Sequence, residues 1–77
     1  MPPKKSAPNR AIGEAIRAIR LAQGFGSQEA FARHAGIDRS YYGAIERGEF
    51  NITIDTLMSV ADGLGVQASE ILKRAGL

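Results

Sequence analysis

Residues 27–47 read SQEAFARHAGIDRSYYGAIER, and this stretch decides the fold. It contains two short segments of the same design. Ser27 and Asp38 each offer a side-chain oxygen to the free amides of a first helical turn, and Gly36 and Gly48 each terminate the helix so begun. The spacing predicts helix 2 over 28–35, with Phe31, Ala32 and Ala35 inward, and helix 3 over 39–47. Only Gly36-Ile37-Asp38 joins them, with Ile37 as an apolar plug. So tight a connection makes the two helices cross steeply, as in a helix-turn-helix, and leaves the second projecting from the body.

Helix 3 divides cleanly around its axis. With Arg39 at zero, Gly43 falls at about 40°, Arg47 at about 80°, Ser40 at about 100° and Ala44 at about 140°. Tyr41, Ile45 and Tyr42 fall at about 200°, 240° and 300° on the opposite side. One arc is basic, hydroxylic and small, and the other is aromatic and aliphatic. A helix packed on a core with its other side in a DNA major groove needs this division. There Arg39 has the fork that grips guanine O6 and N7, and Ser40 can donate to a base or a phosphate. An ordinary solvated face has the same composition. Gln28, beside the free amides that open helix 2, suits a phosphate oxygen and equally suits a plain exposed position.

Outward from this centre the chain remains helical. Ile12, Ala15, Ile16 and Ile19 recur at helical spacing, predicting helix 1 from an Asn9 cap to about Gln23, where Gly24 and Gly26 end it. Thr53 caps helix 4, whose apolar period is Ile54, Leu57, Met58, Ala61 and Leu64. Gly65 closes helix 4, and Gln67 or Ser69 opens a short helix 5 carrying Ile71, Leu72 and Ala75. No stretch alternates with period two, so the expected class is all-α. Met1–Pro8 holds all three prolines and Lys4, Lys5 and Ser6, and reads as a mobile basic tail ahead of one domain over 9–77.

Seventy-seven residues allow a single domain with a modest core. There is no cysteine, so no disulfide framework, thiolate zinc site or cysteine nucleophile. A single histidine, His34, excludes a multi-histidine metal centre and reads as a surface residue. Asp55, Asp62 and Glu70 read as helix-start or solvent-facing acids and form no acid–base pair. No metal, cofactor or catalytic residue is expected, and no enzyme. No apolar run approaches a membrane span, so the expected setting is the cytoplasm. Residues 1–20 hold five basic residues and one acid, a net +4, while residues 21–77 carry a net −2. A basic end on a mildly acidic body suggests an anionic partner such as nucleic acid, or an arm that aids solubility. Arg20 and Glu46 lie nearest the core faces of helices 1 and 3 and are expected to pair, tying those helices together.

From Ile12 to Leu72 the chain resembles the Cro/C1-type helix-turn-helix, or XRE, family. The resemblance rests on Ile12-Gly13, Ile16, Ile19-Arg20, Ser27-Gln28-Glu29, Phe31-Ala32, Gly36-Ile37 and Ile45-Glu46-Arg47-Gly48. It continues through Leu57, Val60-Ala61 and Leu64-Gly65-Val66. Residues 38–47 and the Asn51-Ile52-Thr53 beyond them are especially similar to the controller proteins of restriction–modification systems. The resemblance implies a five-helix, lambda-repressor-like DNA-binding domain with helix 3 in the major groove of double-stranded DNA. It implies that Arg39, Ser40, Tyr41 and Ala44 face base edges, and that Ser27, Gln28, Arg47 and Asn51 lie toward the phosphates. Gln28 would also orient the start of helix 3, and the Arg20–Glu46 pair would brace helices 1 and 3. Two departures from the family pattern stand out. Arg20 and Gln28 are one residue further apart than is common, the extra residue lying in Gly24-Phe25-Gly26, which should absorb it. Ala44 stands where some relatives carry a base-reading glutamine, so that turn should read fewer bases.

One such domain makes too few contacts for a specificity ratio of about 10³ or more. A homodimer would set two recognition helices about 34 Å apart on a palindrome. The family's usual dimer surface, the last helix and the loop before it, points to Ile52, Val66, Ile71, Leu72 and Leu77, each equally suited to the core. Without an effector domain, no small-molecule effector is expected. The competing expectation is the antitoxin of a toxin–antitoxin pair, or another protein-interaction module, with secondary DNA binding.

Overall fold

The computed structural model describes residues 7–77, in which five α-helices and no strand occur. They are α1 (Ala7–Ala22), α2 (Gln28–Ala35), α3 (Arg39–Glu46), α4 (Ile54–Leu64) and α5 (Ala68–Arg74). Three of the expected caps are in place. Ser27 Oγ accepts from the Ala30 amide at 3.0 Å, Asp38 Oδ2 from Tyr41 at 3.0 Å, and Thr53 Oγ1 from Thr56 at 3.1 Å. Each removes one of the unpaired donors that open a helix. Gln67 stands at the N-cap of α5 without a side-chain cap hydrogen bond.

One core joins all five elements. α1 contributes Ile12, Ala15, Ile16 and Ile19, α2 Phe31 and Ala32, and α3 Tyr42 and Ile45. Leu57, Val60, Ala61 and Leu64 come from α4 and Ile71 from α5, with Ile37 packed against the edge as the expected plug. α1 lies against α3, α4 and α5, and α2 against α3 and α4. α1 and α3 approach closely at Gly13. A Cβ on Gly13 would stand 2.5 Å from the Glu46 carbonyl oxygen and 2.6 Å from that of Ile45.

The structure departs from the sequence reading in two places and decides a third. α1 already includes Ala7 and Pro8, so Asn9 is not its cap. Proline is tolerated in a first turn, where its missing N–H would be unpaired anyway, and Asn9 instead donates through Nδ2 to Asn51 Oδ1 at 2.9 Å. The remainder of the expected tail, residues 1–6, lies outside the described residues. The apolar stripe of α4 is rotated from the expected one: Ile54 and Met58 are 72% and 56% exposed, while Val60 is fully buried. At 100° per residue Leu57, Val60, Ala61 and Leu64 span about 100° of arc, and Ile54 and Met58 lie beyond its edge. Ile71, open in the sequence between a dimer surface and the core, is fully buried, because α5 turns that side chain into the core it shares with α1 and α4.

Candidate nucleic-acid interface

The site is organised by a buried carboxylate. Glu46, the last residue of α3, receives Arg20 from α1 at two points, Nε to Oε2 at 2.7 Å and Nη2 to Oε1 at 3.1 Å. Gln28 Nε2 donates to Oε1 at 2.9 Å, and the Tyr42 hydroxyl donates to Oε2. The third arm of Arg20, Nη1, reaches the Phe25 carbonyl at 2.8 Å. The loop with the extra residue therefore folds back onto Arg20 and closes the network, and the Phe25 ring sits edge-on to Phe31 with centroids 5.3 Å apart. Among the described residues no buried side-chain polar atom lacks a partner.

The charges arise from this geometry. Burial pushes the Glu46 carboxyl up, but hydrogen bonds from Arg20, Tyr42 and Gln28 outweigh it and hold the group below its ordinary value. The hydrogen bond to Glu46 raises Arg20, against the cost of burial. Burial, then the bond to Glu46, raises the Tyr42 hydroxyl far above the ordinary tyrosine range. Arg20, Tyr42 and Glu46 are thus held in single ionisation states near neutrality. With Gln28 they act as a strut joining α1, α2 and α3.

This strut fixes the outer face of the helix-turn-helix. Gln28, Glu29, Arg39, Ser40, Gly43 and Arg47 line one shallow concavity there. Gly43 forms its floor. A Cβ at that position would stand 2.9 Å from Gln28 Oε1 and 3.0 Å from Arg47 Nη1, so its absence lets those two side chains close in. Arg39 and Ser40 are exposed on the first turn of α3. Arg47 caps the C-terminal end of α3 and pairs with Glu49, Nε to Oε2 at 2.9 Å.

Not every residue expected on this face lies there. Ala44 is 5% exposed. The chain leaving α3 turns back at once, the Glu49 amide donating to the Ala44 carbonyl at 2.9 Å. Tyr41 is half-buried against the core, its ring 5.7 Å from that of Phe50, and it does not line the concavity. Ser27 is exposed, with its hydroxyl accepting from the Ala30 amide. Asn51 is exposed beside α1, joined to Asn9. Of the residues expected at a dimer surface, Ile52, Val66 and Leu72 are half-buried against the core and Leu77 is 64% exposed.

Three participants escape the sequence reading. Tyr42 reads as apolar, although its spacing of four from Glu46 would place the hydroxyl within reach of that carboxylate. Glu29 stands four residues before Arg33, and the two pair at 3.7 Å. The Phe25 carbonyl has no sequence signal, because a loop conformation alone presents it.

Comparison with known proteins identifies the family. Residues 16–71 match the helix-turn-helix family. The chain belongs to that family. It is 37% identical to control protein C.BamHI of Bacillus amyloliquefaciens over 79% of this chain and 75% of that protein. It is also 39% identical to the immunity repressor protein of Bacillus phage phi105, over 79% of this chain and 42% of the repressor. Among solved structures, the restriction-modification controller protein C.AhdI from Aeromonas hydrophila superposes with a TM-score of 0.80 at 35% identity. That match covers 86% of this chain and 98% of C.AhdI. The chain is thus an XRE-type helix-turn-helix protein similar to restriction–modification controllers. Its described residues include no cluster of metal-ligating side chains and no helix long and apolar enough to cross a membrane.

Proposed function

We propose that this protein is a sequence-specific DNA-binding transcriptional regulator that lays α3 in the major groove and acts without catalysis. The observation that carries this reading is the concavity between α2 and α3. It presents two guanidinium groups, a hydroxyl and an amide group around a floor without a side chain, with the Glu29 carboxylate as its one acid. In this reading Arg39 and Ser40 meet base edges. Gln28, Arg47 and Asn51 lie along the phosphates, with Ser27 beside them at the start of α2. The bond between Asn9 and Asn51 brings the first turn of α1 to the same edge. The cations that precede it, Lys4 and Lys5, then add to the attraction for phosphates, and binding falls steeply with salt.

Two copies reading a palindrome supply the specificity that one lacks. With Ile71 in the core, the dimer surface centres instead on the cleft lined by Met58, Val66 and Ala68. The partners are double-stranded DNA and a second copy in the cytoplasm, and regulation works through protein concentration rather than a small-molecule effector.

Selection of bound sequences from a random duplex pool tests the reading. It should return a palindrome with half-sites about one helical turn apart. On that operator Arg39→Ala should relax base preference at one position per half-site, whereas Gln28→Ala should weaken all sequences alike. Both variants footprinting as the parent does would overturn the contact assignment.

A further inference from the structure

The concavity contains one acidic side chain. Glu29, on the first turn of α2, stands 3.7 Å from the Arg39 guanidinium across the turn and 3.7 Å from Arg33 on its own helix. Glu29 and Arg39 are both largely exposed, with side-chain exposures of 60% and 67%. A carboxylate on a face that approaches phosphates weakens attraction to every duplex, so its effect on Arg39 is the point of interest. An exposed arginine has a long, mobile stem and finds a phosphate as readily as a guanine edge, because the backbone offers acceptors at every step. Glu29 is fixed to the rim of the concavity by a helix whose Gln28 is bonded to Glu46. From there its Oε1 faces one arm of the guanidinium, Nη1, and on the proposed reading the remaining donors meet the groove. Arg47, at the far end of α3, is paired instead with Glu49.

We infer that Glu29 is a specificity-determining positioning residue that keeps Arg39 over the concavity for base readout and away from the phosphate backbone. The inference rests on the assignment of Arg39 to a base contact. Without the carboxylate, Arg39 neutralises a phosphate on any sequence, and binding to unrelated DNA gains one contact while operator binding loses a pre-set donor. Discrimination falls although the face has become more positive.

Glu29→Gln tests this with the intact protein on two duplexes, the selected operator and a scrambled sequence of equal length, across a salt series. The ratio of the two affinities should fall about two- to fivefold, the scale of an exposed ion pair. The salt slope on scrambled DNA should steepen by about 0.9, one phosphate more. In an Arg39→Ala background the same substitution should shift both duplexes equally and leave ratio and slope difference unchanged. Glu70→Gln, on α5 away from α2 and α3, is the control for charge alone and should leave the ratio at the parental value. The inference is overturned if Glu29→Gln leaves ratio and slope unaltered. It is equally overturned if its effect survives without Arg39 or is matched by Glu70→Gln. Failure of the underlying assignment looks different, because Arg39→Ala alone would then retain full operator preference.

Discussion

Glu46 is the residue on which most of this molecule's polar interior converges, and its four hydrogen bonds make it sensitive to the loss of any one. Tyr42→Phe keeps the ring in the core and removes only the hydroxyl, leaving the carboxylate one donor short. Chemical denaturation should show a loss of about 1.5–3 kcal/mol, the range for hydrogen bonds to charged groups. The same site predicts an acid response. Because the folded pKa of Glu46 is depressed, its contribution is full above the unfolded value of about 4.3 and is lost as pH falls through the lower folded value. Thermal melts should therefore hold level from pH 7 to about 5 and drop below about pH 4, with a shallower drop in Tyr42→Phe. The pairing of Arg20 with Glu46 was legible because both lie nearest the inner faces of their helices. The hydroxyl and the Phe25 carbonyl were not, since apolar periodicity reports which side of a helix is buried and not which polar atoms meet there.

At the scale of the elements, two glycines mark close approaches of different kinds. The missing Cβ of Gly13 is replaced by the backbone of α3, which cannot move aside, whereas that of Gly43 is replaced by the tips of two flexible side chains. Gly13→Ala should force α1 and α3 apart and cost several kcal/mol, a large part of the roughly 4–11 kcal/mol available to a domain of this size. Gly43→Ala gains about 0.5–1 kcal/mol of helix preference but strains the Gln28–Glu46 hydrogen bond, so it should fold with a stability near the parent's, well above that of Gly13→Ala. It should nevertheless displace Gln28 and Arg47 and weaken DNA binding. Melting temperature and DNA affinity measured on both variants separate the two roles. The sequence placed Gly43 on the small arc of α3 but did not reveal that Gln28 and Arg47 close over it. The rotation of α4 was hidden for a related reason. Ile54 and Met58 fit an amphipathic period, and only the position of α1, α2 and α5 decides which part of the apolar arc is covered.

For the molecule as a whole, the exposed side of α4 is the counterpart of the interface between α2 and α3. Met58 is open to solvent beside Val66 and Ala68 and contributes little to the monomer core. Met58→Glu should therefore leave the helical signal and the melting curve near those of the parent. If this face joins two copies, sedimentation should show a shift to monomer and operator affinity should fall about tenfold or more. A dimer of undiminished stability would move the interface elsewhere. The outcome also bears on the proposed mode of control, because monomers without a partner read half a palindrome and discriminate poorly.

The chain by itself determined the number and order of its helices, three of their caps and the short turn between α2 and α3, because those depend on local periodicity and on side chains within a few residues. It also determined that Arg39, Ser40 and Arg47 share one side of α3, since helical pitch alone requires it. In α4 and α5, only the tertiary structure decided which apolar residues face inward, placing Val60 and Ile71 in the core and leaving Ile54 and Met58 outside it. It alone buried Ala44, gathered four donors around Glu46 and set Glu29 beside Arg39. Those outcomes depend on segments far apart in sequence meeting at van der Waals distance, and no local pattern encodes the direction from which a distant neighbour arrives.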